Sequence, residues 1–187
     1  MRVIAGVRKG QALKAVPGSA TRPTTDKIKE AVFQSMGPFF DGGNVLDLFA
    51  GSGSLGIEAL SRGMEQAVFV DKQGKAIHTI KENLKTVRME DRAEVFRTDA
   101  YRAIKAAAKR ELIFDLILLD PPYKKVSYTK LIEEIIENNL IKNDGIIYCE
   151  HDPNDELPDQ NADLTIMKKE NYSNTIAVTI YRFNTQL

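Results

Sequence analysis

The stretch Val45 to Gly63, VLDLFAGSGSLGIEALSRG, decides the fold of this chain. It begins with a short apolar run that holds one acid, Asp47, and this pattern is typical of a buried strand. The turn at 51–56, GSGSLG, has the spacing G-x-G-x-x-G and leads into a helical stretch that Gly63 can end. Backbone N–H groups point outwards at such a turn, and glycines let a ligand approach closely. The pattern favours a nucleoside-binding corner over a ligand-free turn, and it leaves nicotinamide, flavin and S-adenosylmethionine open.

A second apolar run, FDLILL at 114–119, ends directly in the tetrapeptide DPPY at 120–123. A run that is apolar on both faces indicates a central strand of a parallel sheet, and ligands lie outside the carboxyl ends of such strands. We therefore expect Asp120 and Tyr123 to open onto the same crevice as the glycine turn. The prolines cannot continue a central strand, so the carbonyl of Pro121 is left free to face that crevice.

The composition is that of an ordinary globular protein with an uneven charge distribution. The chain has 187 residues, of which 43% are hydrophobic, and its 26 basic residues balance its 26 acidic ones. This length suits one domain or a domain with a small appendage. Residues 1–30 nevertheless hold seven Lys or Arg against two acids, a net charge of +5. A basic end on a neutral protein suggests a local contact with a polyanion.

Cysteine and histidine are too few for a disulfide framework or a structural zinc site. Cys149 is the only cysteine, and the two histidines, His78 and His151, show no ligand spacing. We therefore predict that no metal is needed. The sequence has no run of about 18 apolar residues and no signal-peptide pattern at its start, so we expect a cytoplasmic protein without a membrane anchor.

The basic N-terminal region predicts a short β-hairpin followed by a helix. Apolar residues alternate in two pieces across 2–16, and Arg8-Lys9-Gly10 lies between them as a turn. A solvated hairpin without a partner is the alternative to an anion-binding one. Thr24 or Thr25 can cap a helix that starts near Asp26 and ends at Gly37-Pro38.

The rest of the chain alternates strands with helices and closes with a hairpin. Besides the two runs above, strands are predicted at 67–70, 93–96, 145–149, 164–167 and 175–183, with apolar helical stripes between the earlier ones. Residues 150–163 hold six acids and no Lys or Arg, which indicates an exposed acidic loop. The order predicts an α/β fold whose mostly parallel sheet ends in an antiparallel hairpin.

Two further acids follow predicted strands. Asp71 lies 24 residues after Asp47, where a carboxylate can accept both hydroxyl groups of a ribose. Asp99, in Thr98-Asp99-Ala100, follows the next strand, where an acid can reach an adenine amino group. Ordinary surface acids at strand ends are the alternative.

The chain resembles the class I S-adenosylmethionine-dependent methyltransferases. The resemblance is carried by DLFAGSGSLG, by the acid Asp71, by TDA at 98–100 and by DPPY. More narrowly, RVIAGVRKGQAL at 2–13, RPTTDKIKEAVFQSM at 22–36 and YSNTIAVTIYR at 172–182 resemble the bacterial guanine-N2 methyltransferases of small-subunit (16S) ribosomal RNA. The likeness covers essentially the whole chain. Gln11 stands where that family often has Arg, and Ser173 stands where a Gly follows the Tyr.

The resemblance implies a Rossmann-like class I methyltransferase domain at 41–187 and an rRNA-contacting part, a basic hairpin and helix, at 1–40. It implies S-adenosylmethionine as cofactor, 16S rRNA or the assembling small subunit as partner, and a monomer. The cofactor is expected to contact Asp47, Gly51, Gly53, Asp71, Asp99, Ala100 and Asp120. The rRNA is expected to contact Arg8, Lys9, Lys14, Arg22, Pro122 and Tyr123.

The chemistry of an exocyclic amine gives DPPY a catalytic role. Such an amine is a poor nucleophile because its lone pair is delocalised into the ring. Two acceptors on its N–H groups, the carboxylate of Asp120 and the carbonyl of Pro121, would favour a pyramidal nitrogen whose lone pair points at the methyl group. Tyr123 would stack on a flipped base. These three residues are the predicted catalytic set.

Three other functions compete with transfer of a methyl group to guanine N2. An adenine-N6 methyltransferase acting on DNA or RNA also uses DPPY, but the chain has no obvious target-recognition domain. A nicotinamide-dependent oxidoreductase would need a catalytic Tyr/Lys, Cys or His arrangement. A catalytically silent RNA-binding factor is disfavoured because Asp47, Asp71 and Asp120 are all present.

Overall fold

A computed structural model describes the chain over residues 1–18, 25–122 and 126–185. Its seven strands are β1 (Asn44–Asp47), β2 (Gln66–Asp71), β3 (Ala93–Arg97), β4 (Phe114–Leu119), β5 (Ile141–His151), β6 (Leu164–Asn171) and β7 (Ala177–Phe183). They form one sheet in the order β3-β2-β1-β4-β5-β7-β6. The first five strands are parallel, and β7 runs antiparallel to both of its neighbours. The predicted fold class is confirmed.

Helices cover both faces of this sheet. They are α1 (Asp26–Met36), α2 (Ser54–Ser61), α3 (Gly74–Thr86), α4 (Ala100–Lys109) and α5 (Tyr128–Glu137), with one 3₁₀ turn at Glu90–Arg92. Along β4, Leu116 and Leu118 pack into the core under α1, α2 and α3, whereas Ile117 and Leu119 pack into the core under α4 and α5. Because both faces of the central strands are buried, these strands appear in the sequence as continuous apolar runs.

The N-terminal hairpin is much smaller than predicted. In residues 1–18 it is reduced to one antiparallel bridge, Arg2 with Ala12, supported by the N–H of Val3 donating to the carbonyl of Gln11 at 2.9 Å. The intervening backbone bonds to α2 instead. The N–H of Val7 donates to the carbonyl of Ser61 at 2.9 Å, and Ser61 Oγ donates to the carbonyl of Ala5 at 2.6 Å. Contacts to a neighbouring helix therefore supplement a short set of cross-strand hydrogen bonds, which also includes Gly10 N–H to the carbonyl of Val3 at 2.8 Å and Leu13 N–H to the carbonyl of Met1 at 2.9 Å.

A buried group of charges fastens this segment and α1 to α2. Lys29 Nζ donates to the carbonyl of Arg2 at 2.7 Å and to Ser54 Oγ at 2.9 Å. The carboxylate of Glu58 accepts the N–H of Ile4 at 2.9 and 3.0 Å, and Arg62 Nη2 lies 3.3 Å from Glu58 Oε1. The side chains of Arg62 and Glu58 are both fully buried. Thr25 caps α1 by accepting the N–H of Ile28 at 3.2 Å, as predicted for Thr24 or Thr25.

The predicted boundary between strand β5 and the acidic loop was wrong. The strand continues through His151 instead of stopping at Cys149, so Glu150 does not belong to an exposed loop. Glu150 pairs with Val178, and His151 with Ala177, on the antiparallel neighbour β7. Glu150 is 8% exposed. A strand added from the far end of the chain thus buries an acid that the local sequence places in a polar stretch.

Candidate active site

The glycine turn after β1 leaves open space on one side. Gly51 and Gly53 have φ values of +56° and +84°, in the left-handed region that favours glycine. The N–H of Gly53 donates to the carbonyl of Ala50 at 2.7 Å and closes the turn in front of α2. A β-carbon built on Gly51 would meet no atom within 4 Å. The turn therefore has room for a ligand directly against its backbone.

Asp47, at the carboxyl end of β1, is a buried acid with an unsatisfied oxygen. It is 1% exposed, and its Oδ2 accepts the N–H of Gly56 at 3.3 Å. Its Oδ1 is buried without a hydrogen-bond partner in the described part of the chain. Burial, with a smaller contribution from Asp71, raises the pKa of Asp47 to about 7. A buried acceptor without a partner is costly, so this site suits a cationic donor supplied by a ligand.

Asp71, at the end of β2, braces the glycine turn. Its Oδ2 accepts the N–H of Gly51 at 2.9 Å, and its Oδ1 accepts the N–H of Gln73 at 2.9 Å. A carboxylate has about four lone-pair positions, so each oxygen retains one for a further donor. Asp71 thus holds the turn and still presents acceptors at the edge of the crevice.

Asp99 caps α4. Its Oδ1 accepts the N–H of Arg102 at 2.9 Å, and its Oδ2 lies 3.4 Å from Arg102 Nε. Ala100 is the first residue of the helix, where backbone N–H groups lack an intrahelical acceptor. The end of β3 therefore offers a capped helix N-terminus together with a half-buried carboxylate.

Asp120 directly follows β4, beside the strand that ends in Asp47. Asp47 pairs with Leu118 across the two parallel strands, so Asp120, two residues on, points to the same face of the sheet. The charge of Asp47 contributes to a raised pKa at Asp120, after the larger effects of burial and of Glu150. Pro121 is buried and Pro122 is exposed. Tyr123 lies outside the described residues.

The cationic side chains of the N-terminal segment differ in how far other protein groups already engage them. Arg8 Nε donates to the carbonyl of Val87 at 2.6 Å, so Arg8 fastens the segment to the residue that follows α3. Lys14 Nζ lies 3.7 Å from Glu82 in an exposed ion pair, and Lys9 is exposed. Arg22 lies outside the described residues. Lys9 and Lys14 are therefore better placed than Arg8 to meet an external anion.

The polar residue Asn83 joins the site to the N-terminal segment, and sequence reasoning missed it. Its Oδ1 accepts the N–H of Lys14 at 2.8 Å, and its Nδ2 donates to the carbonyls of Lys14 at 2.9 Å and Ser52 at 2.8 Å. Asn83 is 1% exposed, on a helix face whose other buried side chains are apolar except for Thr79. The only local signal was a polar residue on an apolar stripe.

Over residues 1–18, 25–122 and 126–185, no group of three or more His, Cys, Asp or Glu side chains is arranged to hold a metal ion. In the same ranges, every helix is too short or too polar to cross a bilayer.

Comparison with known proteins places the chain in a family. The family model described as "Conserved hypothetical protein 95" matches residues 1–182. The chain belongs to this family. The predicted resemblance is confirmed, because relatives across the family carry rRNA methyltransferase names.

Two curated relatives and one solved structure illustrate the match. "Putative rRNA methyltransferase YlbH" of Bacillus subtilis is 55% identical over 182 residues, covering 97% of this chain and 98% of that protein. "Ribosomal RNA small subunit methyltransferase D" of Haemophilus influenzae is 34% identical over 151 residues, covering 80% and 78%. The structure of "Putative methyltransferase yhhF from Escherichia coli" superposes with a TM-score of 0.84 at 26% identity, covering 100% and 99%.

The fold itself is shared more widely. Methyltransferase structures at 16% and 18% identity match with TM-scores of 0.68 and 0.64. One is described as S-adenosylmethionine-dependent, and the other was solved with S-adenosylhomocysteine. At this identity the likeness concerns the fold.

Proposed function

We propose that this protein transfers a methyl group from S-adenosylmethionine to the exocyclic N2 amine of a guanine in 16S ribosomal RNA. The observation that carries the proposal is the pair of adjacent strand ends, where the carboxyl group of Asp120 lies on the same face as the unsatisfied oxygen of Asp47. The open glycine turn adjoins them. Family membership supports the reaction class, because the relatives are named rRNA methyltransferases.

The residues present fit S-adenosylmethionine. Asp47 Oδ1 lacks a partner, and an amino-acid ammonium group would supply both a donor and a positive charge. The free lone pairs of Asp71 suit the two hydroxyls of a ribose. Backbone N–H groups at Ala100, with the partly engaged carboxylate of Asp99, suit the edge of an adenine. Gly51 leaves room for the methionine part, and Gly53 shapes the turn beside it.

The cofactor supplies a methyl group already activated by a sulfonium sulfur. The chain's own task is then to hold an amine nitrogen in line with that methyl group, and positioning of this kind supplies much of the rate. In this proposal Asp120 accepts one N–H of the amine, and the carbonyl of Pro121 accepts the other. Pro122 and Tyr123 follow directly and are proposed to contact the base.

The choice of guanine in rRNA over adenine rests on the relatives and on the N-terminal segment. A Haemophilus relative is named for the small ribosomal subunit. The family model matches residues 1–182 and so includes the basic first residues. Lys9 and Lys14 are exposed on this segment, which Asn83 ties to the glycine turn. An RNA backbone bound there would lie beside the cofactor pocket. An adenine-N6 methyltransferase remains the second candidate because both reactions use the same amine-binding acceptors.

The test is methylation in vitro followed by nucleoside analysis. Purified protein is incubated with S-adenosylmethionine and unmodified 16S rRNA, free or in assembled subunits, and the digested RNA is analysed by mass spectrometry. We expect the wild type to produce N2-methylguanosine. Asp120→Asn should produce at least about a hundredfold less, by analogy with the loss of one preorganised polar group. The matched exposed control Glu133→Gln should produce wild-type amounts. N6-Methyladenosine as the product would select the second candidate, and no methylated nucleoside on any of these RNAs would overturn the proposal.

A further inference from the structure

Two carboxyl groups meet at the carboxyl ends of β4 and β5. Leu119 pairs with Cys149 across these parallel strands, so the next residues along, Asp120 and Glu150, are neighbours on the same face of the sheet. Besides burial, the raised pKa of Asp120 has the charge of Glu150 and a hydrogen bond with its side chain among its causes. A hydrogen bond between two carboxyl groups requires one proton between them, because a carboxylate can only accept. The pair therefore holds a single proton and a single negative charge.

Two tyrosine hydroxyls donate hydrogen bonds to Glu150. Tyr148 Oη donates to Glu150 Oε1 at 3.1 Å, and Tyr128 Oη donates to the backbone carbonyl of Glu150 at 2.7 Å. Burial raises the pKa of Tyr148 well above its usual range, so its hydroxyl stays a neutral donor. The side chain of Glu150 thus already accepts one hydrogen bond from a hydroxyl that remains a donor.

The surroundings of Asp120 favour the proton there. Burial raises the pKa of Asp120 most, and the neighbouring acids Glu150 and Asp47 raise it further. Among the titratable groups nearby, the pKa of Tyr128 on α5 is raised by burial and by Cys149, Asp120, Asp155 and Glu150, and Tyr172, after β6, contributes to the raised pKa of Tyr148. Because the pKa of Asp120 is raised, Asp120 is the member of the pair that carries the proton and donates it to Glu150.

We propose that Glu150 is a positioning residue for methyl transfer, which orients Asp120 through the shared proton and receives that proton when the reacting amine is deprotonated. This inference rests on the proposed function. As the amine nitrogen bonds to the methyl carbon, the carbon–sulfur bond breaks and its electron pair stays on sulfur. The nitrogen then carries one proton too many. That proton passes to Asp120, whose own proton passes to Glu150, so the carboxyl pair goes from one negative charge to none.

The charges balance across this step. One positive charge disappears from sulfur, and one negative charge disappears from the carboxyl pair. The neutral pair returns its extra proton to water once the product has left. When both carboxyl groups are ionised at high pH, they repel each other and Asp120 loses its orientation. Activity therefore requires the singly protonated pair.

The shared proton can be observed without substrate. Infrared spectra of the free protein at pH 8.5, where Asp47 is largely ionised, should show the band of a protonated carboxylic acid that shifts in D₂O. The band should be absent in Glu150→Gln and in Asp120→Asn, and present in Asp47→Asn. A spectrum without such a band, or a band that survives in both variants of the pair, overturns the shared proton whatever reaction the protein catalyses.

The pH dependence of turnover gives the second readout. We expect the wild-type kcat to fall on the alkaline side. Glu150→Gln should lower kcat at neutral pH by roughly tenfold or more, because acid–base assistance is lost. It should also abolish the fall of kcat at alkaline pH. The affinity for S-adenosylhomocysteine should stay unchanged. If Glu150→Gln does not fold, Tyr148→Phe should shift the alkaline fall to higher pH, because the charged pair has lost a stabilising donor. If the folded variant, Glu150→Gln or Tyr148→Phe, shows the wild-type pH dependence of kcat, the role of Glu150 is overturned. If the protein methylates rRNA but shows no infrared band, the shared proton is overturned and the proposed function stands.

Discussion

The side-chain amide of Asn83 donates to the carbonyl of Ser52, in the glycine turn, at 2.8 Å. The same amide group also binds the backbone N–H and carbonyl of Lys14. One buried residue on α3 therefore joins the basic N-terminal segment to the glycine turn. The position of the segment and the shape of the turn depend on the same contacts.

Asn83→Ala should weaken both the fold and cofactor binding. Three partly buried hydrogen bonds are lost, so the free energy of unfolding should fall by about 2–4 kcal/mol. Hydrogen exchange should become faster in residues 1–18, and calorimetry should show weaker binding of S-adenosylhomocysteine. Lys85→Ala, an exposed change on the same helix, is the control. Unchanged exchange in the segment would show that Asn83 does not hold it.

Glu58→Ala should be strongly destabilising. It removes the buried one of the two carboxylates that pair with Arg62, leaving the partly exposed Glu30 at 3.2 Å, and it removes the acceptor of the Ile4 N–H. Breaking a buried ion pair by removing one partner typically costs about 3–5 kcal/mol, and the remaining pair with Glu30 places the expected loss near the lower end. Denaturant unfolding measures the change. Glu94→Ala breaks the exposed pair with Arg110 (2.7 Å) and should hardly move the midpoint. Equal effects of the two substitutions would contradict the structural role given to the buried charges.

Binding of the cofactor should release a proton below neutral pH. In the free protein, burial holds the pKa of Asp47 at about 7, so below that pH the group is largely protonated. A bound ammonium favours the carboxylate, and the apparent affinity should therefore fall as the pH drops below 7. Calorimetry of S-adenosylhomocysteine at pH 6.5 and 8.5, in buffers of different ionisation enthalpy, measures the released protons. Asp47→Asn should abolish the release, and an identical proton count in the variant would rule out Asp47 as its source.

The same raised pKa has a consequence for stability. A carboxyl group whose pKa is higher in the folded than in the unfolded chain disfavours folding once the pH exceeds the unfolded value, and the cost grows until the pH passes the folded value. The free protein should therefore lose stability between about pH 4 and pH 7 through Asp47. Asp47→Asn should be more stable than the wild type at pH 8, as judged by thermal unfolding in the absence of cofactor. A less stable variant would show that the carboxylate is better solvated than the structure indicates.

Lys9 and Lys14 should account for part of the salt dependence of rRNA binding. Each phosphate contact that is lost should flatten the slope of log affinity against log salt by ~0.7–0.9. The double variant Lys9→Ala/Lys14→Ala is compared with Lys105→Ala/Lys109→Ala on α4, which covers the other face of the sheet. Arg8 is left intact because it bonds to the carbonyl of Val87. Equal slopes for the two double variants would show that Lys9 and Lys14 do not contact rRNA phosphates.

Local sequence patterns predicted the sheet because its central strands are buried on both faces and are continuous in the chain. They also indicated Asp47, Asp71 and Asp120, since an acid inside or directly after an apolar run is conspicuous. Glu150 was missed because its burial depends on β7, which pairs with it from 28 residues away at Val178. Asn83 was missed for the same reason, because its partners lie in the N-terminal segment and in another turn. Contacts of this kind are long-range and leave no periodic signal.

The most direct test is to analyse 16S rRNA from cells with and without the gene for this protein. Mass spectrometry of the digested RNA should show less N2-methylguanosine in the deletion strain, and the wild-type gene should restore it whereas Asp120→Asn should not. Unchanged N2-methylguanosine in the deletion strain, or loss of a different modified nucleoside, would contradict the proposed function.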